Sequence, residues 1–251
     1  MVRRLWRMTA FLVSSLVYCS GVQLWSLTKS GADELRFRAR AQHLGARWLC
    51  FLLGLSVEKR GNWDSVPGAL VVSNHLGGLD PLALGSSQPS AFVANKKMSH
   101  WPIIGWVARQ MGVFFVDRGR AREANMLVER MQRRLKAGVP VVAFPEGTTT
   151  HGDTILPFKT GVFEPVAQEG GHVVPVFLKL TSVSGHEGDP PQKIISWAGG
   201  EESFASYGWR LLGLQDATIT VRAGTPIPSK NSDRKELAHA ARAAVRELAE
   251  A

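Results

Sequence analysis

Three short stretches hold the residues whose types and spacing could do chemistry. The first is Val71-Val72-Ser73-Asn74-His75-Leu76-Gly77-Gly78-Leu79-Asp80-Pro81, an apolar β-type run that ends in Asn-His and leads, past two glycines, to Asp-Pro. A neutral imidazole near pH 7 takes a proton from a hydroxyl, and does so best when a carboxylate holds its other ring nitrogen. Gly77 and Gly78 let the connecting turn fold tightly enough for His75 and Asp80 to meet. A plainer reading fits the same residues. Asp80 before Pro81 suits a helix N-cap with proline at the first helical position, and His75 is then an ordinary strand-end residue. An N-cap aspartate can also serve both purposes.

The second stretch, Gly112-Val113-Phe114-Phe115-Val116-Asp117-Arg118-Gly119-Arg120, is a strand that delivers Arg118 to its end. A guanidinium grips a phosphate through two parallel hydrogen bonds. Lys96 and Lys97, just past another strand, add point charges; a solvated basic rim is the alternative. The third stretch is Val141-Val142-Ala143-Phe144-Pro145-Glu146-Gly147-Thr148-Thr149-Thr150. Glu146 can accept from substrate hydroxyls, and Gly147 permits close backbone approach. A simple polar turn would look the same. Downstream lie Lys159, another cation near a glycine, and Val173-Val174-Pro175-Val176, a strand whose proline indicates an edge or a bulge.

Several chemistries are disfavoured. The chain has no Gly-x-Ser-x-Gly elbow, His-Glu-x-x-His motif, phosphate-binding P-loop or dinucleotide fingerprint. Its seven histidines are scattered without metal-ligand spacing, so no metal site is expected. Cys19 and Cys50 sit in apolar surroundings and fit no redox or metal pattern. The net charge of +9 is uneven, being concentrated in residues 1–40 and 95–136. Such fields attract polyanions, including nucleic acid, anionic lipid and phosphorylated substrates. Most aromatic residues lie in apolar runs rather than among the basic ones, unlike a base-stacking platform, so no nucleic-acid partner is expected.

The elements that must position these residues follow from periodicity. Thr9–Leu27 carries no charge and, as a helix, would be about 28 Å long, close to bilayer hydrocarbon thickness. Arg3, Arg4 and Arg7 precede it, as expected for a cytoplasmic N-terminus. No small-x-small cleavage site follows, which favours a retained anchor over a signal peptide. Gln23, Gly21 and four serines leave open whether it spans the bilayer or lies in one leaflet. Glu34–Leu55 reads as a second helix, basic then aromatic, which suits either a membrane surface or the protein core. From residue 57 strands and helices alternate. Strands are expected at 69–73, 91–94, 113–116, 139–144, 173–178, 193–197 and 217–222, and helices at 99–111, 120–137 and 232–248, the last capped by Ser232. This predicts membrane-associating helices over 1–56 and an α/β domain over 57–251. That domain would be a mixed, largely buried sheet flanked by helices.

Taken in order, the motifs resemble those of the glycerolipid acyltransferase family typified by 1-acylglycerol-3-phosphate acyltransferases. The matching pieces are Asn74-His75…Asp80, Gly112…Arg118, Phe144-Pro145-Glu146-Gly147-Thr148 and Val173-Val174-Pro175-Val176, together spanning roughly residues 57–180. The resemblance implies that His75 is the general base on a lysophospholipid hydroxyl and that Asp80 orients it. Arg118, with Lys96, would bind the substrate phosphate. Glu146 and Gly147, with Thr148 beside them, would position the glycerol part. The acyl donor would be acyl-CoA or acyl carrier protein, attacked directly without an acyl-enzyme. No metal or redox cofactor is implied, and the protein would act at the cytoplasmic face of the cell membrane. One departure stands out. The family's third motif commonly continues Gly-Thr-Arg, whereas here it is Gly147-Thr148-Thr149. Lys159 or Arg120 could replace that cation. A Thr-Thr ending also fits relatives acting on other lyso-lipids, lyso-ornithine lipid among them.

Overall fold

The computed structural model describes residues 1–61, 66–116, 121–184, 191–197 and 202–251. Two long helices, α1 (Val2–Ser26) and α2 (Gly31–Leu53), open the chain. Strands β1 (Leu55–Arg60) and β2 (Leu70–Ser73) follow, then α3 (Asp80–Ser87) and β3 (Ala91–Asn95). A 3₁₀ turn at Lys96–His100 leads to α4 (Ile104–Gln110), β4 (Phe114–Val116), α5 (Ala121–Lys136) and β5 (Val141–Ala143). A second 3₁₀ turn, Thr160–Phe163, runs into α6 (Glu164–Glu169) and the long β6 (His172–Val183). The chain closes with α7 (Pro191–Ile195), α8 (Phe204–Gly213), β7 (Ala217–Ala223), β8 (Ile227–Pro228) and α9 (Arg234–Glu250).

The strands form one mixed sheet in the order β1-β7-β6-β2-β5-β3-β4, with β8 beside the start of β6. The run β6-β2-β5-β3-β4 is parallel, and the β6–β7 pair is antiparallel. Both faces are covered, which is why the central strands read as continuous apolar runs rather than alternating ones. Val71, Val174, Val176 and Leu178 face a core shared with Ala83, Leu84, Tyr207 and Leu211 of α3 and α8. Leu70, Val72, Val141 and Val173 face a second core with Leu127 and Met131 of α5 and Leu237 and Ala241 of α9.

The structure corrects several expected boundaries. The 193–197 segment is not a strand. Pro191–Ile195 is a short helix that packs Ile195 into the first core, because β7 already occupies the side of β6 open to another strand. Strand β1 was not anticipated: Ser56, Glu58, Lys59 and Arg60 are solvent-facing on an edge and give no apolar run. Residue 57, where the texture of the sequence changes, lies inside it. The second helix stops at Leu53 because Gly54 adopts the left-handed conformation (φ 71°). A Cβ at Gly54 would lie 2.5 Å from the Gln215 carbonyl oxygen. The expected 99–111 helix begins only at Ile104, since Pro102 breaks it and Ile103 makes a γ-turn (φ 64°) that closes Ile104 N–H onto the Pro102 carbonyl at 2.6 Å. The last helix is capped by Asp233, not Ser232. Asp233 accepts from the backbone of Lys235 and Glu236 while Glu236 returns to the Asp233 N–H. Pro175 sits in an interior strand, at a break in the pairing. Its carbonyl accepts from Gly224 N–H at 2.9 Å, so its missing donor faces the crossover where β7 gives way to β8.

Helix α1 is inverted relative to a soluble surface helix. It turns Ser15, Cys19, Val22 and Ser26 toward the protein and presents Leu12, Val13, Leu16, Val17 and Leu24 outward. Among the described residues it is the one helix long and apolar enough to cross a membrane, with a mean hydropathy of 1.3. Exposed Leu44, Trp48 and Phe51 of α2 add to the apolar surface. Cys19 and Cys50 are both buried and free.

Candidate active site

Strands β2, β3, β4 and β5 are parallel, so the residues after each emerge at one edge of the sheet. His75 follows β2, Lys96 follows β3, the stretch holding Arg118 follows β4, and Glu146 follows β5. Arg118 itself, like Arg120, lies outside the described residues.

The turn after β2 begins with Asn74, which is buried and acts as a substitute strand residue. Its Oδ1 accepts from Leu178 N–H at 2.8 Å and its Nδ2 donates to the Leu178 carbonyl at 3.0 Å. Pairing to β6 is thereby carried one residue past the end of β2 while the backbone swings away. His75 comes next. Its ring stacks on Phe144 at a centroid distance of 4.1 Å, and its side chain remains 22% exposed. Nδ1 lies 2.7 Å from Asp80 Oδ2. A carboxylate only accepts, so the proton sits on Nδ1 and Nε2 keeps its lone pair toward the open side.

Asp80 is 1% exposed and is the first residue of α3, not its cap. The expected N-cap role fails because the carboxylate turns back toward the preceding turn. The same Oδ2 accepts from Leu76 N–H at 2.5 Å and Gly77 N–H at 2.9 Å. Two backbone donors therefore hold the carboxylate aimed, and the imidazole meets a fixed partner.

Glu146 is 3% exposed, and each of its oxygens takes a backbone N–H: Oε1 from His75 and Oε2 from Leu156, both at 3.1 Å. Burial pushes its carboxyl above the ordinary range, against the pull of those two hydrogen bonds. A carboxylate so occupied clamps the His75 backbone and leaves little to offer a substrate hydroxyl. Gly147 takes a positive φ of 77°, and Thr148 beside it is exposed. The Lys96 ammonium lies 2.7 Å from Glu123 of α5 and is 45% exposed. Lys159 is exposed next to the Pro-Glu-Gly turn, its N–H donating to the Pro145 carbonyl at 2.9 Å.

Sequence reasoning missed what surrounds this turn. Thr150 N–H donates to the His75 carbonyl and Trp197 N–H to the Leu76 carbonyl, both at 2.9 Å. His151 Nδ1 and Ser196 Oγ, 2.6 Å apart, join the two segments that supply those donors. Gly78 N–H donates to the Tyr207 hydroxyl at 3.0 Å. Thr150 ends the third stretch, but Trp197, His151, Ser196 and Tyr207 carry no motif. Among the described residues no cluster of three or more His, Cys, Asp or Glu is placed to hold a metal ion.

Asn74→Ala would strand both the N–H and the carbonyl of Leu178 in the core. We expect a stability loss of about 2–4 kcal/mol, read by denaturant unfolding, since each orphaned buried group costs ~1–3 kcal/mol.

Comparison with known proteins bears on the family and the fold. A family model described as Acyltransferase matches residues 55–179. The chain is 30% identical to a lyso-ornithine lipid O-acyltransferase of Pseudomonas aeruginosa, over 86% of this chain and 81% of that protein. It is 28% identical to a 1-acyl-sn-glycerol-3-phosphate acyltransferase of Neisseria meningitidis, over 88% of this chain and 81% of that protein. Its fold is similar to the crystal structure of the 1-acyl-sn-glycerophosphate acyltransferase PlsC from Thermotoga maritima. The TM-score there is 0.70 at 20% identity, over 99% of this chain and 94% of that one. With the motif order, the sheet and the relatives in agreement, the chain belongs to the acyltransferase family.

Proposed function

We propose that this acyltransferase is membrane-associated and moves a fatty acyl group from an acyl thioester to the free hydroxyl of a lysolipid. The observation that carries this reading is the His75–Asp80 pair, 2.7 Å apart at the open edge of the sheet. His75 Nε2 takes the proton of the acceptor hydroxyl as its oxygen attacks the thioester carbonyl carbon. Asp80 stabilises the imidazolium that forms. The tetrahedral intermediate then collapses, the carbon–sulfur bond breaks, and the proton on Nε2 passes to the leaving sulfur. The products are an ester and the free thiol of CoA or acyl carrier protein. The scheme calls for no metal or redox cofactor and no acyl-enzyme.

The motifs favour 1-acylglycerol-3-phosphate as acceptor, its phosphate taken by Arg118 with Lys96. Glu146 contributes by clamping the His75 backbone, and Gly147 and exposed Thr148 form the wall open to substrate. A lyso-ornithine lipid is the second reading. It is favoured by Thr149 in place of arginine and by 30% and 35% identity to lyso-ornithine lipid O-acyltransferases of Pseudomonas aeruginosa and Rhodobacter capsulatus. Such an acceptor presents an amino acid head group, so it demands fewer cations than a phosphate.

The inverted α1 supports insertion into one leaflet beside α2. Its large apolar residues face outward, while Arg7 is buried and donates to the Leu214 carbonyl, tying the helix to the catalytic unit. On this reading the site of action is the cytoplasmic face, as the arginines ahead of the apolar stretch favour.

An acceptor panel with purified protein and a labelled acyl thioester tests the reaction. We expect ester formation with 1-acylglycerol-3-phosphate or lyso-ornithine lipid, and His75→Ala to lower it about a thousandfold. Near-normal turnover by that variant would remove His75 as the base, and turnover only with lyso-ornithine lipid would select the second acceptor. For the membrane, the double substitution Leu16→Glu and Val17→Glu should abolish co-sedimentation with anionic vesicles. Acyl transfer to a detergent-dispersed acceptor should persist.

A further inference from the structure

The turn that carries His75 is held by Asp80, by Glu146 and Thr150 of the third motif, and by two residues far off in sequence, Trp197 and Tyr207. Of these two, Tyr207 is the one that reaches the turn through its side chain. Tyr207 belongs to α8, which joins the catalytic turn to the N-terminal helix. Its side chain is fully buried, and its hydroxyl oxygen accepts the Gly78 N–H at 3.0 Å. A Cβ on Gly77 would lie 2.8 Å from that oxygen, and one on Gly78 would lie 3.0 Å from Tyr207 Cε1. The two glycines are thus the imprint of the tyrosine on the turn.

Tyr207 is itself locked in place. Trp197 stacks on it at 5.8 Å, Phe204 meets it at 6.0 Å, and the Arg210 guanidinium lies 5.3 Å from its ring centroid. At the other end of α8, Arg7 of α1 donates to the Leu212 carbonyl at 3.3 Å and to the Leu214 carbonyl at 2.5 Å. A buried tyrosine needs a partner for its hydroxyl, and a buried N–H needs an acceptor; here each supplies the other.

We propose that Tyr207 is a positioning residue for acyl transfer. By accepting the Gly78 N–H it holds the turn in the register at which Asp80 meets His75 Nδ1. The role rests on the reading of His75 as the base. Without the hydroxyl, Gly78 loses its acceptor, the turn relaxes, and Asp80 grips the imidazole less well. The ionisable groups around the turn include Asp80 from α3, Glu146 and His151 from the stretch after β5, and Tyr207 and Arg210 from α8. Burial and the Asp80 charge push the Tyr207 hydroxyl well above its ordinary range, so it stays a neutral phenol throughout the working pH range.

The test is the pH dependence of kcat/KM for Tyr207→Phe, beside His75→Ala and a stability control. Leaving one buried donor unpaired corresponds to about a tenfold fall in kcat/KM. The midpoint of the acidic limb should also move to lower pH, because a looser carboxylate stabilises the imidazolium less. Gly78→Ala, which presses on the tyrosine ring from the turn, should move the midpoint the same way. Leu237→Ala, in the opposite core, should lower the melting temperature and leave the midpoint in place. A Tyr207→Phe profile with an unmoved midpoint would overturn the proposal, whatever the change in its height. Turnover by His75→Ala would overturn the base assignment and the positioning role with it. An inactive His75→Ala beside an unaltered Tyr207→Phe would remove Tyr207 alone.

Discussion

Everything in this protein's active edge depends on one carboxylate oxygen. Asp80 Oδ2 receives the imidazole of His75 and the backbone N–H groups of Leu76 and Gly77 at once. A carboxylate that is 1% exposed is costly to bury unless hydrogen-bonded, and here the same bonds that offset the cost also fold the turn. The geometry of the histidine is therefore not a side-chain preference; it follows from how the backbone closes around the aspartate. This also explains the two glycines, since the loop must pass tightly around the carboxylate and under the Tyr207 hydroxyl.

Around that oxygen the sheet builds a frame of backbone hydrogen bonds. Asn74 extends the β2–β6 pairing, Glu146 binds the His75 N–H, and Thr150 and Trp197 take the next two carbonyls. A base must hold its angle toward an attacking hydroxyl, and small displacements are expensive in rate. A turn with its polar groups paired this way has few alternative conformations. The mobile parts of the reaction then fall to the lipid and the thioester.

The N-terminal helices join this frame to an apolar outer surface. A helix that buries serines and cysteine and exposes leucine and valine suits packing on protein on one side and lipid on the other. Arg7 anchors it by donating to carbonyls at the C-terminal end of α8, and α8 carries Tyr207 back to the catalytic turn. The apolar surface of α1 and the turn of His75 are thus connected through one ten-residue helix.

The residues of the site were legible in the sequence because each sits just past a strand and is written in a short local pattern: Asn74-His75…Asp80, Phe144-Pro145-Glu146-Gly147. Continuous apolar runs likewise announced the buried central strands. Other features depended on long-range contacts and left no local mark. Edge strand β1 is polar, and 193–197 has strand-like composition, yet its first residues fall in α7 while β7 takes the free side of β6. The direction of Glu146 belongs to the same class: sequence pointed it toward substrate, while the folded chain turned it onto the His75 N–H, which only tertiary packing brings within reach. Asp80 was readable as the partner of His75, and its two backbone donors, Leu76 and Gly77, are local. By itself the sequence determined the candidate groups and the order in which the chain presents them. The tertiary structure alone decided that Glu146 clamps the histidine backbone and that the hydroxyl of a tyrosine more than a hundred residues away accepts from the turn. Hydrogen-bond direction is set by where distant backbone arrives, and no local pattern encodes that.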